Sequence, residues 1–343
     1  MTGKTIVYLP NWIGDMVMAT PFLKSLRACL NGELWAIGKP SAMSIYNGLG
    51  LFNRFIPIEG RGIVHFFDTV NLLKGLKFER AIAMPHSMRS ALLFFLAGIR
   101  QRIGYPRNKR GFMLTIHIRE TNKPEPTVEH YLRILDALGE KRLYKDPVLA
   151  VTPDEEKRYG EEHRYRVKPY IAFIPGSHYG PSKRWPSSCF AELADLISEN
   201  TGYNVVILPG KNEIEVGLDI KDRAVHKDNI EIEDIGISDL KVCISRATAV
   251  VSNDTGPRHI STALSIPTFV LIGPMDEAYT DYPSPNTFRF IKDVPCRPCN
   301  KKTCNRDMEC LMGIKPIEVY KKLEEIIGGK GEVKDDKKDR RGR

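Results

Sequence analysis

Short apolar runs that end at Pro, Gly, Asn or Asp alternate with longer segments of helical spacing, and this alternation constrains the fold more than any other feature of the chain. In the first half, the runs span residues 5–9, 34–37 and 81–84. In the second half, they span residues 170–174, 205–208, 249–252 and 268–272. Strands that alternate with helices in this way form a parallel sheet covered by helices. The sequence therefore predicts an α/β fold.

The chain is long enough for two domains, since it has 343 residues and a domain takes roughly 100–200. The pattern breaks at Asp146-Pro147, and a new helix start follows. There Thr152 can cap the helix, Pro153 suits its first position, and Glu155 completes a capping box. We predict one domain over residues 1–150 and another over 151–329. An amphipathic helix is expected at 316–327, and it could pack back on the N-terminal domain.

The chain is basic, with a net charge of +9, which favours anionic partners. Residues 330–343 hold seven Lys or Arg against four Asp or Glu and are expected to form a disordered basic tail. A solubilising tail is the preferred interpretation, and weak contact with an anionic membrane surface is the alternative. Residues 1–30 lack the features of a signal peptide, and the most apolar run, 91–99, is too short to span a bilayer. We expect a cytoplasmic protein.

The loop of residues 175–186 follows a predicted strand and precedes a predicted helix. It combines small residues, the hydroxyls of Ser177 and Ser182, and the adjacent cations Lys183 and Arg184. Free backbone N–H groups and cations at such a turn are suited to a diphosphate. The loop does not match the GxxxxGK[ST] pattern, so nucleotide hydrolysis of that type is not indicated. A solvated loop with a chance Lys-Arg pair is the alternative.

A second turn of the same kind occupies residues 252–259. Asp254 and Thr255 can cap the helix that follows, and Gly256 and His259 lie at its start. The same helix N-terminus also offers spare N–H donors and partial positive charge to a phosphate or a sugar hydroxyl. By itself, His259 is more typical of a packed or capping histidine than of a catalyst.

Gly14 and Asp15 lie on the first strand-to-helix turn. An aspartate at a helix start is stabilised by the helix dipole, which is a sufficient structural explanation. As a catalyst, the Asp15 carboxylate would accept a proton from an incoming hydroxyl at the mouth of the crevice. The residues alone leave both interpretations open.

Four of the seven cysteines occur close together, at Cys296, Cys299, Cys304 and Cys310. Four thiolates could close a structural zinc site, but their spacing lacks the usual tight second pair, and reduced, unligated cysteines are slightly favoured. The sequence contains no Asp-x-Asp motif, so catalysis without a required metal or other cofactor is the simpler expectation. No Gly-x-Gly-x-x-Gly follows the first strand, which weakens a dinucleotide-dependent dehydrogenase.

Taken in order, four segments resemble a known family. They are residues 10–18 (PNWIGDMVM), 85–92 (PHSMRSAL), 175–186 (PGSHYGPSKRWP) and 253–259 (NDTGPRH). This set resembles the ADP-heptose:lipopolysaccharide heptosyltransferases of glycosyltransferase family 9. The motif sequences are closest to those of heptosyltransferase II. The resemblance covers roughly residues 5–327. It implies a GT-B fold, in which two Rossmann-like domains with parallel sheets face each other across a cleft.

The resemblance also implies which residues form the site. The catalytic aspartate falls on Asp15 and the phosphate-binding lysine on Lys183, whereas the ribose-binding glutamate falls on Glu215, with Glu213 left open. Further donor-binding residues would be Ser177, Ser182, Asp254, Thr255, Gly256 and His259. The acceptor-binding residues would be Asn11, Trp12, Gly14 and Arg89.

The implied reaction is an inverting transfer of L-glycero-D-manno-heptose from ADP-heptose to a heptose of a lipid A–Kdo–heptose acceptor at the inner membrane surface. A monomer is expected, peripheral association with that membrane is left open, and no nucleic acid partner is expected. Two alternatives stay open. One is another GT-B sugar-nucleotide enzyme, such as a protein heptosyltransferase or an epimerase. The other is a basic, zinc-bearing nucleic-acid-binding protein, which predicts basic residues interleaved with aromatics along one face.

Overall fold

The structure is a computed structural model that describes residues 3–60, 62–163, 168–280 and 282–328. Within these ranges, the chain forms two parallel sheets, each of six strands, with helices packed on them. The predicted α/β fold is confirmed. The basic tail predicted at 330–343 lies outside the described residues.

The N-terminal half builds the first sheet. Its strands are β1 (Thr5–Tyr8), β2 (Leu34–Gly38), β3 (Arg54–Pro57), β4 (Arg80–Ala83), β5 (Gln101–Gly104) and β6 (Ile116–His117). Its helices are α1 (Ile13–Met18), α2 (Thr20–Cys29), α3 (Pro40–Tyr46), α4 (Ile63–Leu76), α5 (Met88–Leu96) and α6 (Thr127–Leu138). The strand order is β3-β2-β1-β4-β5-β6, so the order reverses between β1 and β4.

The C-terminal half repeats this design. Its strands are β7 (Tyr170–Ile174), β8 (Asn204–Ile207), β9 (Ile230–Ile232), β10 (Ala249–Asn253), β11 (Thr268–Ile272) and β12 (Thr287–Ile291). Its helices are α7 (Pro153–Glu162), α8 (Ser187–Asn200), α9 (Ile214–Arg223), α10 (Ile237–Arg246), α11 (Gly256–Ala263), α12 (Glu309–Met312) and α13 (Pro316–Gly328). The order β12-β11-β10-β7-β8-β9 reverses between β7 and β10. Each half therefore has the doubly wound topology of a Rossmann-like domain.

The central strands owe their position to continuous apolar composition. Every residue of β1, β2, β7, β10 and β11 is buried. Neither face of such a strand contacts solvent, so its sequence is an unbroken run of mainly apolar residues. The predicted helix start at Thr152 is also present as a full capping box with Glu155, which begins α7 at the junction of the two halves.

The two halves share part of their core. One cluster of buried apolar side chains joins α1, α2 and α6 of the first half to residues of α10 and α11 in the second, including Val242, Ile244 and Ile260. The backbone N–H of Leu149 also donates to the carbonyl of Ala263 at 3.2 Å. The two sheets are therefore held as neighbours by apolar packing as well as by the connecting chain.

The last helix packs on the C-terminal half. Val319, Tyr320, Leu323 and Ile327 of α13 join the core built by β7, β8 and α8. The expectation that this helix could return to the N-terminal domain is wrong, because its apolar stripe is covered by the sheet that precedes it in the chain. Across the described residues, no helix is long and apolar enough to cross a membrane.

Candidate active site at the cleft between the two sheets

The four conspicuous segments of the sequence all come together at the points where the strand orders reverse. Residues 10–18 follow β1 and residues 85–92 follow β4, and these strands are neighbours in the first sheet. Residues 175–186 follow β7 and the 253–259 turn follows β10, and these strands are neighbours in the second sheet. Crevices outside the carboxyl ends of strands at such points are where open α/β sheets bind ligands.

The turns of the two halves face each other closely. A Cβ atom on Gly256 would lie 3.0 Å from the backbone nitrogen of Gly14 and 3.2 Å from Cβ of Ile13. The starts of α1 and α11 can approach this closely only because glycine stands at the contact. Trp12 and His178 also meet across the cleft, with ring centroids 5.1 Å apart. The Asp15 turn is therefore brought directly opposite the two turns of the C-terminal half.

Asp15 lies in the first turn of α1 and lines a cavity of about 600 Å³. Burial raises the pKa of its carboxyl to about 6, and a hydrogen bond from Tyr131 acts in the opposite direction. Such a carboxylate is ionised near neutral pH and yet basic enough to take a proton, which is the property a general base needs. The N-cap residue of α1 is Trp12, whose side chain makes no capping hydrogen bond, and Asp15 is the acidic residue of the first turn.

The cavity beside Asp15 belongs mostly to the N-terminal half. Among the residues that line it, Asn11 and Trp12 were predicted, whereas His86, Tyr131 and Arg107 were given no role. The predicted residue Gly14 instead lies at the contact between the halves. Arg89 is not among the lining residues, and its guanidinium lies 4.8 Å from the ring centroid of Phe66.

Two histidines form a pair in this cavity. The Nε2 atoms of His86 and His130 are 3.0 Å apart, and the His130 ring stacks on Tyr105 at 3.8 Å. Burial and nearby cationic groups lower the pKa of His86 to about 4 and that of His130 to about 3. Both rings are therefore neutral near pH 7 and offer hydrogen-bonding nitrogens to a polar ligand. The sequence gives no indication that His130 and Tyr131 belong to a site, because they lie in α6, which has the pattern of an ordinary amphipathic helix.

The opposite wall carries Lys183, Asp254 and Arg258. Lys183 Nζ lies 2.9 Å from Asp254 Oδ2, and Arg258 Nε lies 2.8 Å from Asp254 Oδ1. Burial acts to raise the pKa of Asp254, but the two cations outweigh it and hold that pKa well below its ordinary value. Two cations around one carboxylate leave a net positive charge, which is suited to an anionic ligand.

Hydrogen bonds of the Asn253 side chain connect the two turns of this wall. The side chain of Asn253 accepts from the Trp185 N–H at 3.0 Å and donates to the Pro175 carbonyl at 2.6 Å. The hydroxyl oxygens of Ser177 and Thr255 are buried here, and no hydrogen-bond partner is found for either among the described residues. Because buried hydroxyls without partners are costly, these two groups point to a polar ligand at this wall.

Ser182 has a different environment from Ser177. Its hydroxyl donates to the Lys301 carbonyl at 2.5 Å, and its N–H donates to the Lys302 carbonyl at 3.2 Å. Tyr179 makes a similar contact, since its hydroxyl donates to the Asn300 carbonyl at 2.6 Å. Ser182 therefore braces the 175–186 loop against the cysteine-bearing segment, and its hydroxyl hydrogen is already used.

Glu213, rather than Glu215, lies against the loop. Glu213 Oε1 accepts from the Ser177 N–H at 3.1 Å and also pairs with Arg184. The Glu213 carboxylate occupies the space beside Gly176, since a Cβ atom there would lie 2.2 Å from Glu213 Oε2. Glu215 is exposed in the first turn of α9.

His259 is buried between the two halves. Its Nδ1 lies 3.3 Å from the Tyr282 hydroxyl, and its ring lies next to Gly14. Burial, followed by the charge of Arg258, holds the His259 pKa well below its ordinary value. A neutral ring fits the packing role that its position in the sequence suggested.

The four cysteines follow β12, in the segment whose Asn300 and Lys301 carbonyls contact the 175–186 loop. Cys310 is buried, whereas Cys304 is exposed. In the part of the chain that the structure describes, no three of their sulfurs lie within 4.8 Å of one another. The thiols are therefore not arranged as a closed tetrahedral metal site, in which sulfurs bound at about 2.3 Å from one ion must be close neighbours.

Two Rossmann-like domains with a carboxylate on one wall of a cleft and a net positive group on the other are the arrangement expected of a glycosyltransferase of the GT-B class. A family model described as "Glycosyltransferase family 9 (heptosyltransferase)" matches residues 69–309. The chain belongs to this family. The family and enzyme class predicted from the motifs are thereby confirmed.

Alignments with similar proteins cover nearly the whole chain. The curated protein "Lipopolysaccharide heptosyltransferase 2" of Salmonella typhimurium (strain LT2) is 26% identical over 348 residues, which cover 96% of this chain and 99% of that protein. The solved structure of E. coli ADP-heptose lps heptosyltransferase II is 24% identical with a TM-score of 0.83, covering 95% of this chain and 99% of that one. E. coli heptosyltransferase WaaC with ADP is 17% identical with a TM-score of 0.71, covering 94% and 99%. The predicted GT-B architecture is confirmed.

Proposed function

We propose that the protein is an inner-core lipopolysaccharide heptosyltransferase of type II. It would transfer L-glycero-D-manno-heptose from ADP-heptose to a heptose of a lipid A–Kdo–heptose acceptor, with inversion. The observation that carries this proposal is the division of the cleft. Asp15, whose pKa is raised to about 6, lies on one wall, and the net positive group of Lys183, Arg258 and Asp254 lies on the other.

The C-terminal wall is suited to the donor. Lys183 donates two hydrogen bonds to Asp254, one to the carboxylate and one to the backbone carbonyl. The third N–H of its ammonium group remains for a phosphate oxygen. The buried hydroxyls of Ser177 and Thr255 would donate to the same diphosphate. Glu213 rather than Glu215 would bind the ribose, because Glu213 contacts the 175–186 loop through the Ser177 N–H.

The N-terminal wall is suited to the acceptor. In the proposed reaction, the Asp15 carboxylate takes the proton of an acceptor hydroxyl as that oxygen bonds to the anomeric carbon of the donor. The bond from that carbon to the phosphate oxygen breaks, and ADP leaves with the bonding electrons. Lys183 and the hydroxyls stabilise the charge that grows on the diphosphate. The neutral His86–His130 pair and Asn11 would hydrogen-bond to hydroxyls of the acceptor sugar.

The cysteine segment has a structural role in this proposal, and transfer requires no metal ion. The segment contacts the 175–186 loop through backbone carbonyls and lies in the half opposite Asp15. Metal analysis of protein purified without added zinc tests whether the thiols hold an ion. Zinc or iron below about a tenth of an equivalent, with all thiols titratable, would remove the metal hypothesis.

Product analysis tests the proposed function directly. The full chain is incubated with ADP-heptose and either a lipid A–Kdo acceptor or a lipid A–Kdo–heptose acceptor, and the products are examined by mass spectrometry. We expect one heptose to be added to the heptose-bearing acceptor and none to the other. Addition to the Kdo acceptor alone would mean a type I activity. Release of an altered sugar nucleotide without transfer, or transfer to a protein, would favour the two alternative sugar-nucleotide enzymes.

A further inference from the structure

The first turns of α4 expose apolar side chains to solvent. Ile63 is 76% exposed, Val64 is 69% exposed and Phe67 is 51% exposed. They lie at the start of the helix and beside its buried stripe, which consists of Phe66, Val70 and Leu73. Helices on the surface of a globular protein usually carry polar residues outside the buried stripe, so these exposed side chains are unusual.

The exposed apolar surface continues onto α5 and the short 3₁₀-helix Gly111–Met113. Arg89 of α5 lies over the Phe66 ring of α4, so the first turns of the two helices are neighbours. Phe95 lies 6.4 Å from Phe112, measured between ring centroids. We call this surface the α4–α5 patch; it consists of Ile63, Val64, Phe67, Met88, Phe95 and Phe112, all at least two-fifths exposed. Contiguous apolar surface of this kind marks a site of contact with another molecule or a membrane.

The α4–α5 patch begins at the edge of the cleft. Both α4 and α5 follow strands of the first sheet, so their first turns lie at the carboxyl ends of those strands, where the cavity opens. Ser87, which caps α5, is itself a lining residue of the cavity beside Asp15. A surface that docks on the α4–α5 patch would therefore lie next to the acceptor cavity.

Charge favours an anionic occupant. Residues 1–150 hold 21 Lys or Arg against 11 Asp or Glu, whereas residues 151–329 hold 23 against 27. Three exposed cations lie around these helices, Lys74 and Lys77 at the C-terminal end of α4 and Lys109 beside the 3₁₀-helix, and α4 also carries the exposed carboxylate Asp68. Apolar side chains rimmed by Lys and Arg are the composition that binds anionic lipid interfaces. The same charge excess opposes a second copy of this chain on the patch, because two basic domains would repel each other.

We propose that the α4–α5 patch docks the protein on an anionic lipid bilayer, with Ile63, Val64 and Phe67 inserted at the interface and the N-terminal cations on the lipid headgroups. The proposal rests on the proposed function in one respect, namely that the acceptor is a glycolipid held in such a bilayer. Docking through this surface sets the acceptor cavity beside the bilayer that holds the sugar to be extended.

Vesicle binding of the full chain tests the docking surface without any substrate. The protein is sedimented with vesicles of phosphatidylcholine alone and of phosphatidylcholine with phosphatidylglycerol. We expect binding only to the anionic vesicles, weakened by salt. The triple variant Ile63→Gln/Val64→Gln/Phe67→Gln should bind them roughly tenfold or more weakly, since the apolar part of interfacial binding scales with buried area. The control Leu218→Gln/Val225→Gln changes side chains that are 43% and 78% exposed on the other half and should bind like the parent.

Each other result identifies a different occupant or none. Equal binding by the parent and the triple variant, or no binding by the parent, overturns the proposal. Loss of binding on removal of residues 330–343, with the triple variant unaffected, would assign docking to the tail. If the parent is a dimer in light scattering and the triple variant is a monomer, the patch is an interface between two copies of the chain.

Transfer to a delipidated, soluble acceptor is measured in parallel. The triple variant should retain it, so a failure of docking is distinguishable from a failure of the proposed function.

Discussion

At the scale of single residues, the account depends on a carboxylate whose environment sets its basicity. Asp15 is partly buried beside Tyr131, and burial raises its pKa to about 6. If the ionised form is the general base, kcat/KM should fall about tenfold for each pH unit below about 6 and level off above it. The measurement is the pH profile of transfer with ADP-heptose at low concentration. The variant Tyr131→Phe, which removes the hydrogen bond that lowers the pKa, should move the inflection to higher pH. A profile that is flat between pH 4.5 and 7 would exclude Asp15 as the base.

Lys183 should contribute to donor binding and to turnover together. Its ammonium group would contact a diphosphate in both the bound substrate and the transition state, with more negative charge in the latter. We expect Lys183→Ala to weaken ADP binding by about 1.5–3 kcal/mol, the range for hydrogen bonds to charged groups, and to lower kcat as well. Calorimetry with ADP and steady-state kinetics measure the two effects. Arg223→Ala, which removes an exposed cation from α9, is the control and should change neither. Unchanged ADP affinity in Lys183→Ala would make Lys183 only a partner of Asp254.

At the scale of secondary structure, the sequence was most informative where strands are fully buried. The strands β7 and β11 were predicted with the bounds observed, since each is an unbroken apolar run. The outer strands β3, β9 and β12 were not predicted, because they are only partly buried, so their residues do not form such runs. The same limit applies to the site. Motifs located Asp15 and Lys183, but the contact of Ser182 with Lys301 and of Asp15 with Tyr131 depends on segments more than a hundred residues apart.

The contact between the donor loop and the cysteine segment should matter for ADP binding. The double variant Tyr179→Phe/Ser182→Ala removes two hydroxyl donors to the Asn300 and Lys301 carbonyls. At about 1 kcal/mol for each hydrogen bond, we expect the Kd for ADP to rise by about 3- to 20-fold as the loop loosens. The reactivity of the half-buried Cys299 toward a thiol reagent should rise in parallel. Weaker ADP binding with unchanged thiol reactivity would instead mean that the hydroxyls contact the ligand.

At the scale of the whole molecule, a buried ion pair of the C-terminal half lies against the N-terminal half, beside their shared apolar core. Lys241 of α10 and Glu155 of α7 lie 2.9 Å apart and are almost fully buried. Lys241 also donates to the carbonyl of Asn47 in the N-terminal half at 3.2 Å. Burial acts to raise the pKa of Glu155, but hydrogen bonds from Thr152 and Lys241 keep it below its ordinary value.

Breaking this ion pair on one side should destabilise the protein strongly. We expect Lys241→Met to lower the free energy of unfolding by about 3–5 kcal/mol, because the Glu155 charge is left buried without its partner. Denaturant unfolding of the full chain measures the loss. The double variant Lys241→Met/Glu155→Gln should recover much of it. If the single and double variants are equally unstable, the loss comes from packing rather than from the unpaired charge.

The central claim is that the two walls of the cleft have separate tasks, with the acceptor hydroxyl activated from the N-terminal wall and the nucleotide held by the C-terminal wall. Asp15→Asn tests it most directly, with ADP affinity and the rate of heptose transfer measured on the same preparation. The amide is nearly the same size as the carboxylate but cannot take the proton, and an asparagine side chain can still accept hydrogen bonds at the start of α1. The account predicts a transfer rate lower by about 100-fold or more, with ADP affinity and melting temperature close to those of the parent. A variant that keeps most of its transfer activity, or that loses ADP affinity to the same extent as activity, would contradict it.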